Sequence, residues 1–319
     1  NRRFRSLMLA VLATVLIAGC EAKPEELIAS AKDLLAKDDR PAAIIQLRNA
    51  LQKNPNLAEA RFLLGQSLLE TGDVLGAEKE LRKAAQLGYP PDGGAPALAR
   101  MLVMRGEFKK AIDEFGNAKL ASPESMAELH VSLGNARLGL GDADGAIASF
   151  EAALSAQADY PPALIGEARI KASKADLPGA LALVERALAK SPKLTEGWQL
   201  KGDLLAAQKQ TEAAILAYRK ALETKPDFVP AHYALVSLLM REHKTDDGKK
   251  GFQEMKRAAP RQPQTTYLQA LMAVNDKDYA AARDAIQRHL KAAPNSLPGM
   301  LVAAQIDFQL GSYAQAENG

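Results

Sequence analysis

Small and large apolar residues follow one another along this chain in an order that returns every 34 residues. The order is plainest in Thr195 to Phe228, which carries Trp198, Lys201-Gly202, Leu205, Ala214, Tyr218, Ala221 and Pro226 at positions 4, 7–8, 11, 20, 24, 27 and 32. Steps of three and four within each half put these residues on one face of two successive helices, A before position 15 and B after it. Gly72-Asp73, Gly106-Glu107, Gly141-Asp142 and Gly311-Ser312 all fall at positions 15 and 16. There glycine ends helix A and the next side chain can cap helix B. Prolines near position 32 end helix B.

The units run 24–57, 58–91, 92–125, 127–160, 161–194, 195–228, 229–262 and 263–296, with Met126 as one extra residue and an incomplete ninth unit at 297–319. Ala or Gly at positions 8, 20 and 27 lets backbones approach, while Leu, Phe or Tyr at position 24 fills the space between neighbouring pairs. The third unit opens with Gly93-Gly94 and Pro96, which predicts a frayed or shortened first helix. The order Trp, Leu-Gly, Tyr, Ala, Phe and Pro resembles the tetratricopeptide repeat (TPR). That resemblance implies an all-α fold, a right-handed TPR superhelix (α-solenoid) of about eight and a half helix-turn-helix repeats. Such arrays end in a polar capping helix, whereas this sequence stops at Gly319 within helix B and starts at Asn1 rather than Met. The sequence therefore reads as a fragment of a longer protein.

Composition agrees with packed helices: 47% of the residues are hydrophobic and only 5% aromatic. Residues 1–19 read as a cleaved lipoprotein signal peptide. Arg2, Arg3 and Arg5 form a cationic start, and the twelve largely apolar residues from Leu7 to Ala18 are too few to span a bilayer. Ile17-Ala18-Gly19-Cys20 follows and resembles the lipobox of bacterial lipoproteins. The resemblance implies cleavage between Gly19 and Cys20 and lipidation of the Cys20 thiol, with residues 20–23 as a lipidated linker and two or three acyl chains as a stable anchor. Cys20 is also the single cysteine, so no intramolecular disulfide is available. Glu21 after it resembles the sorting signal for the outer membrane rather than the inner one.

Without the three arginines of the signal, 41 − 3 = 38 basic residues face 38 acidic ones. A neutral mature chain gives no argument for nucleic-acid binding. His130, His232, His243 and His289 have no second His or Cys at metal-ligand spacing, and they read as surface or groove residues. The sequence holds neither a GxxxxGK[ST] phosphate loop nor a GxSxG elbow. No cofactor, metal or catalytic residue is expected, and the protein reads as something other than an enzyme.

Function then falls to the concave wall, which positions 2, 5, 9, 12 and 13 of helix A line in TPR arrays. In this chain they supply Phe62, Gln66, Asn135, Arg169, Gln199, Asp203, Tyr233, Arg241, Tyr267 and Asn275. Tyrosines stack and amides hydrogen-bond, a mixture suited to an extended peptide or a polysaccharide strand. Val131 stands four residues before Asn135, where the carboxylate clamp of chaperone-binding repeats has Lys, so chaperone tails are disfavoured.

Pro24-Glu25-Glu26-Leu27, Ala50-Leu51-Gln52-Lys53-Asn54-Pro55, Glu59-Ala60-Arg61-Phe62-Leu63-Leu64-Gly65 and Leu87-Gly88-Tyr89-Pro90 resemble the TPR lipoprotein of the PEP-CTERM/exosortase protein-sorting system. The resemblance implies a scaffold lipid-anchored to the outer membrane of a Gram-negative cell, its array in the periplasm. Its partners would be other envelope proteins, extended peptides or polysaccharide, in protein sorting and exopolysaccharide export. Two other roles fit the same features: assisting assembly of a type IV pilus or secretin, and serving as the accessory region of a longer envelope enzyme.

Overall fold

The computed structural model describes residues 22–311. The signal segment, the Gly19–Cys20 cleavage and lipidation site, and residues 312–319 lie outside the described residues. Within them the chain is seventeen α-helices with no strand, and no helix is long and apolar enough to cross a membrane.

The chain divides into two compact units, Asn1–Leu140 and Gly141–Gly319. The first holds α1 (Pro24–Ala36), α2 (Arg40–Lys53), α3 (Ala58–Glu70), α4 (Val74–Gln86), α5 (Pro91–Met104), α6 (Phe108–Phe115) and α7 (Pro123–Gly139). The second holds α8 (Ala143–Ala156), α9 (Pro161–Ser173), α10 (Leu177–Lys190), α11 (Thr195–Ala207) and α12 (Thr211–Thr224). It continues through α13 (Val229–Arg241), α14 (Thr245–Ala258), α15 (Pro263–Asn275), α16 (Tyr279–Ala292) and α17 (Leu297–Gln309). Within each unit a helix packs on its sequence neighbour, and A helices from α3 onward also touch the next A helix.

The spacing of small residues explains that closeness. Ala43, Ala77 and Ala111 in the first unit, and Ala180, Ala214 and Ala282 in the second, lose all exposure to the facing helix. Leu47, Leu81, Phe150, Val184 and Ile286, at the bulky position between pairs, are also buried. Each such side chain contributes about 1.5–3 kcal/mol on leaving water.

The turns between A and B helices share one backbone state. Gly72, Gly106, Gly141 and Gly311 adopt φ of +72° to +85°. Asp38, Ala175, Lys209, His243 and Lys277, the residues at the same place in the other units, adopt φ of 57° to 62°. The turn therefore imposes the left-handed region whichever residue is there. After it, Asp39, Asp73, Asp142, Asp176 and Asp278 each accept a hydrogen bond from the backbone N–H three residues on, at 2.9–3.2 Å. These caps satisfy an orphan donor of the following helix.

A second device joins one helix pair to the next. The side chain at position 4 reaches back six residues to the proline carbonyl that ends the preceding helix. Arg61 Nε donates to Pro55 O, Trp198 Nε1 donates to Pro192 O, and His232 Nε2 lies against Pro226 O, each at 2.8 Å. A carbonyl only accepts, so His232 carries its proton on Nε2.

Two expectations are corrected. His232 and His289 are neither surface nor groove residues, being only 4% and 6% exposed. His289 Nδ1 meets Pro263 O at 2.9 Å and its Nε2 meets Ser296 Oγ at 2.8 Å, so both rings act as buried clamps on backbone ends. His130 is half-buried and His243 exposed. The first helix of the third unit, α5, is not frayed; it runs fourteen residues with Pro96 inside it. Packing overrides local propensity there, since Gly94 through Ala99 are all buried. A Cβ at Gly93 would stand 2.8 Å from the Tyr89 ring, so glycine is required by contact. The shortened element is the partner, α6, which stops at Phe115 after eight residues. Asp92 then accepts from Ala121 N at 2.7 Å and Ser122 N at 3.3 Å, tying the following loop to the start of α5.

Candidate functional site

The A helices place the candidate wall residues differently in the two units. In the first, Phe62 is 6% exposed and its ring stacks on Tyr89 with centroids 4.0 Å apart and planes 16° from parallel. It supports the wall from behind instead of offering a face to a partner, because Gly93 leaves room for the stacked pair beside α5. Gln66 is exposed and lines a cavity of about 220 Å³ together with Glu70, Arg100 and Glu128. Asn135 is half-buried further along α7.

In the second unit a polar cluster forms on α9, α11 and α12. The Gln199 amide donates to Asp203 Oδ2, and the Tyr218 hydroxyl donates to Asp203 Oδ1 at 2.8 Å. Burial holds the Asp203 carboxyl above its ordinary range, and the Tyr218 bond and the nearby Arg169 charge only partly offset it. Burial, followed by the charge of Asp203, drives the Tyr218 phenol far above the usual tyrosine range; Arg241 opposes this. Gln199 and Arg169 act on Asp203 and Arg241 on Tyr218, so four of the predicted wall residues gather around the Asp203–Tyr218 pair. Arg169 and Arg241 are exposed, whereas Gln199 and Asp203 are half-buried.

Beyond this cluster, half-buried Tyr233 and Tyr267 on α13 and α15 bring their ring centroids to 6.5 Å at 31°. The Tyr267 ring then meets that of His289 at 5.1 Å and 50°, so the buried clamp also steadies the wall. Burial, with a contribution from Tyr233, raises the Tyr267 phenol. Asn275 is exposed at the end of α15.

Three side chains that the sequence reading passed over belong to the same register. Glu70, Arg100 and Glu128 stand at positions 13, 9 and 2 of their units, the wall positions that gave Gln66. Tyr218 was read as packing alone, and its hydroxyl became visible only in its bond to Asp203. Among the described residues, no three His, Cys, Asp or Glu side chains converge to hold a metal ion. The chemistry of this wall is hydrogen bonding, ion pairing and ring stacking.

Family models for the tetratricopeptide repeat match residues 28–94 and 233–296 and, with a second model, residues 137–204; a TPR-repeat model matches 202–239. The fold is similar to that of the yeast Tom70 crystal structure, with a TM-score of 0.56 at 14% identity over 93% of this chain and 76% of that one. It is also similar to a tetratricopeptide repeat protein from Parabacteroides merdae, with a TM-score of 0.54 at 17% identity over 74% of this chain and 93% of that one. The matched models describe interaction repeats, which serve as scaffolds for other proteins, and none describes an enzyme family. Repeat spacing, helix pairing and model matches agree that this chain belongs to the tetratricopeptide-repeat family.

Proposed function

We propose that this chain is a lipid-anchored scaffold of the Gram-negative envelope whose A-helix wall holds an extended segment of a partner protein. The observation that carries the reading is the second-unit wall itself, where Gln199, Asp203, Tyr233 and Tyr267 present amide, carboxylate and ring faces along successive A helices. Polar groups that fix orientation beside aromatic surface are what an extended ligand needs. The anchor rests on Ile17-Ala18-Gly19-Cys20 behind a cationic and apolar leader. A role in PEP-CTERM/exosortase sorting and exopolysaccharide export rests on the resemblance of residues 24–27, 50–55, 59–65 and 87–90 to lipoproteins of that system.

Crosslinking in the intact envelope, read by mass spectrometry, tests this function. Crosslinks from the A helices to exosortase-linked or polysaccharide-export proteins are expected. The Cys20→Ala variant should lose palmitate labelling, leave the membrane fraction and lose those crosslinks. Crosslinks to pilus or secretin subunits would contradict the sorting role, and palmitate labelling that survives Cys20→Ala would contradict the anchor.

A further inference from the structure

The cavity beside Gln66 in the first unit is lined by both apolar and charged side chains. Leu35, Leu69 and Ala97 line it alongside Arg40, Glu70, Arg100 and Glu128. At about 220 Å³ it is smaller than the 300–1,000 Å³ or so of pockets that take whole small molecules, and it suits one long side chain.

Its cations are already engaged. Arg40 pairs with Asp38, and Arg100 pairs with Glu70. Glu128, on α7, accepts no hydrogen bond from any described residue. Burial raises its carboxyl above the ordinary value; Arg100 opposes that rise, whereas Glu124 on the same helix and Glu70 on α3 add to it. Burial is thus the main cause, and Glu128 has Arg100 nearby but, among the described residues, no donor bonded to it. An incoming anion would have to displace Glu70 from Arg100 while facing Glu128. An incoming guanidinium or ammonium would give Glu128 its missing donors, and its methylene stem would lie along Leu35, Leu69 and Ala97.

We propose that this cavity is a subsite on the first unit's A helices for an Arg or Lys side chain of a partner protein, with Glu128 as the residue that selects the cation. The proposal rests on the A-helix wall being the binding face. Because the cation pairs with the ionised carboxyl, binding should weaken as pH falls through the raised titration of Glu128.

The test uses butylguanidinium and its neutral isostere butylurea as probes, with carboxyl-labelled glutamate observed by NMR and the Glu128 resonance assigned through Glu128→Gln. Butylguanidinium should shift that resonance saturably and lower its titration midpoint, and butylurea should leave it in place. Glu128→Gln should weaken butylguanidinium binding by about tenfold or more, the scale of one charge-assisted hydrogen bond, with unchanged helical content. A Glu128 shift with both probes or with neither, or butylguanidinium affinity left undiminished in Glu128→Gln when followed on backbone amide resonances of the cavity residues, would overturn the subsite, whatever the partner. Saturable probe binding combined with unaltered partner capture by Glu128→Gln would overturn its assignment to the partner segment. Loss of capture on mutating Tyr233 and Tyr267 reports on the wall separately.

Discussion

The Tyr218 ring packs so close to Gly202 that a Cβ added at Gly202 would stand 2.5 Å from Cδ1. Residue 202 is glycine because a ring on the facing helix occupies the place of its side chain, and the contact carries the phenol to Asp203. Neither helix can move away without breaking that bond. Gly202→Ala should therefore destabilise the protein by about 1–3 kcal/mol, the usual cost of overpacking. Equilibrium denaturation measures it, and a loss well below 1 kcal/mol would show that the helices can separate.

The left-handed turn gives a paired prediction of opposite signs. A Cβ at Gly106 would meet no atom within 4 Å, so Gly106→Ala isolates the backbone cost of φ +73°. Stability should fall by about 1 kcal/mol. At Ala175, held at φ 62° in the equivalent turn, Ala175→Gly should raise stability by a similar amount. Thermal melts of the two variants check this, and shifts of the same sign would contradict it.

These turns also show what the sequence disclosed. Glycine marked four of them, but Ala175, Lys209 and Lys277 carry no left-handed signature of their own, and only the register identifies them. The Trp198 and Pro192 positions were legible as a pattern, while the hydrogen bond that joins them was not, because periodicity records spacing and not partners. His232 was misread for that reason: it occupies the Trp198 position and takes over its backbone contact. Gly93, Gly94 and Pro96 misled because local propensity was weighed without the helices that bury them. Of the wall, the register put Gln199 and Asp203 in one set without disclosing the bond between them, whereas Phe62 was assigned outward although Tyr89, 27 residues later, covers its ring. Such long-range contacts are not encoded in the repeat.

Asp203 predicts a pH dependence. Its folded carboxyl titrates above the ordinary value of 3.8, chiefly through burial. Between 3.8 and the folded value, the folded protein therefore retains a proton that the unfolded chain has released. The resulting stabilisation is full below 3.8 and is lost as pH rises through the folded value. Asp203→Asn should consequently gain stability over the parent at pH 7 and show little difference at pH 3. Denaturation at both values checks it, and an equal difference at both would refute the assignment.

The central claim is that the A-helix wall of the second unit holds the partner. Tyr233 and Tyr267 face each other at 6.5 Å, and both are half-buried rather than core residues, so truncating them should spare the fold. The most direct measurement is pull-down of the partner identified by envelope crosslinking, using the Tyr233→Ala, Tyr267→Ala double variant with circular dichroism as control. The account predicts capture reduced by about tenfold or more, the scale of aromatic anchors, with unchanged helical content. Undiminished capture by a fully helical variant would contradict it and assign binding to another face.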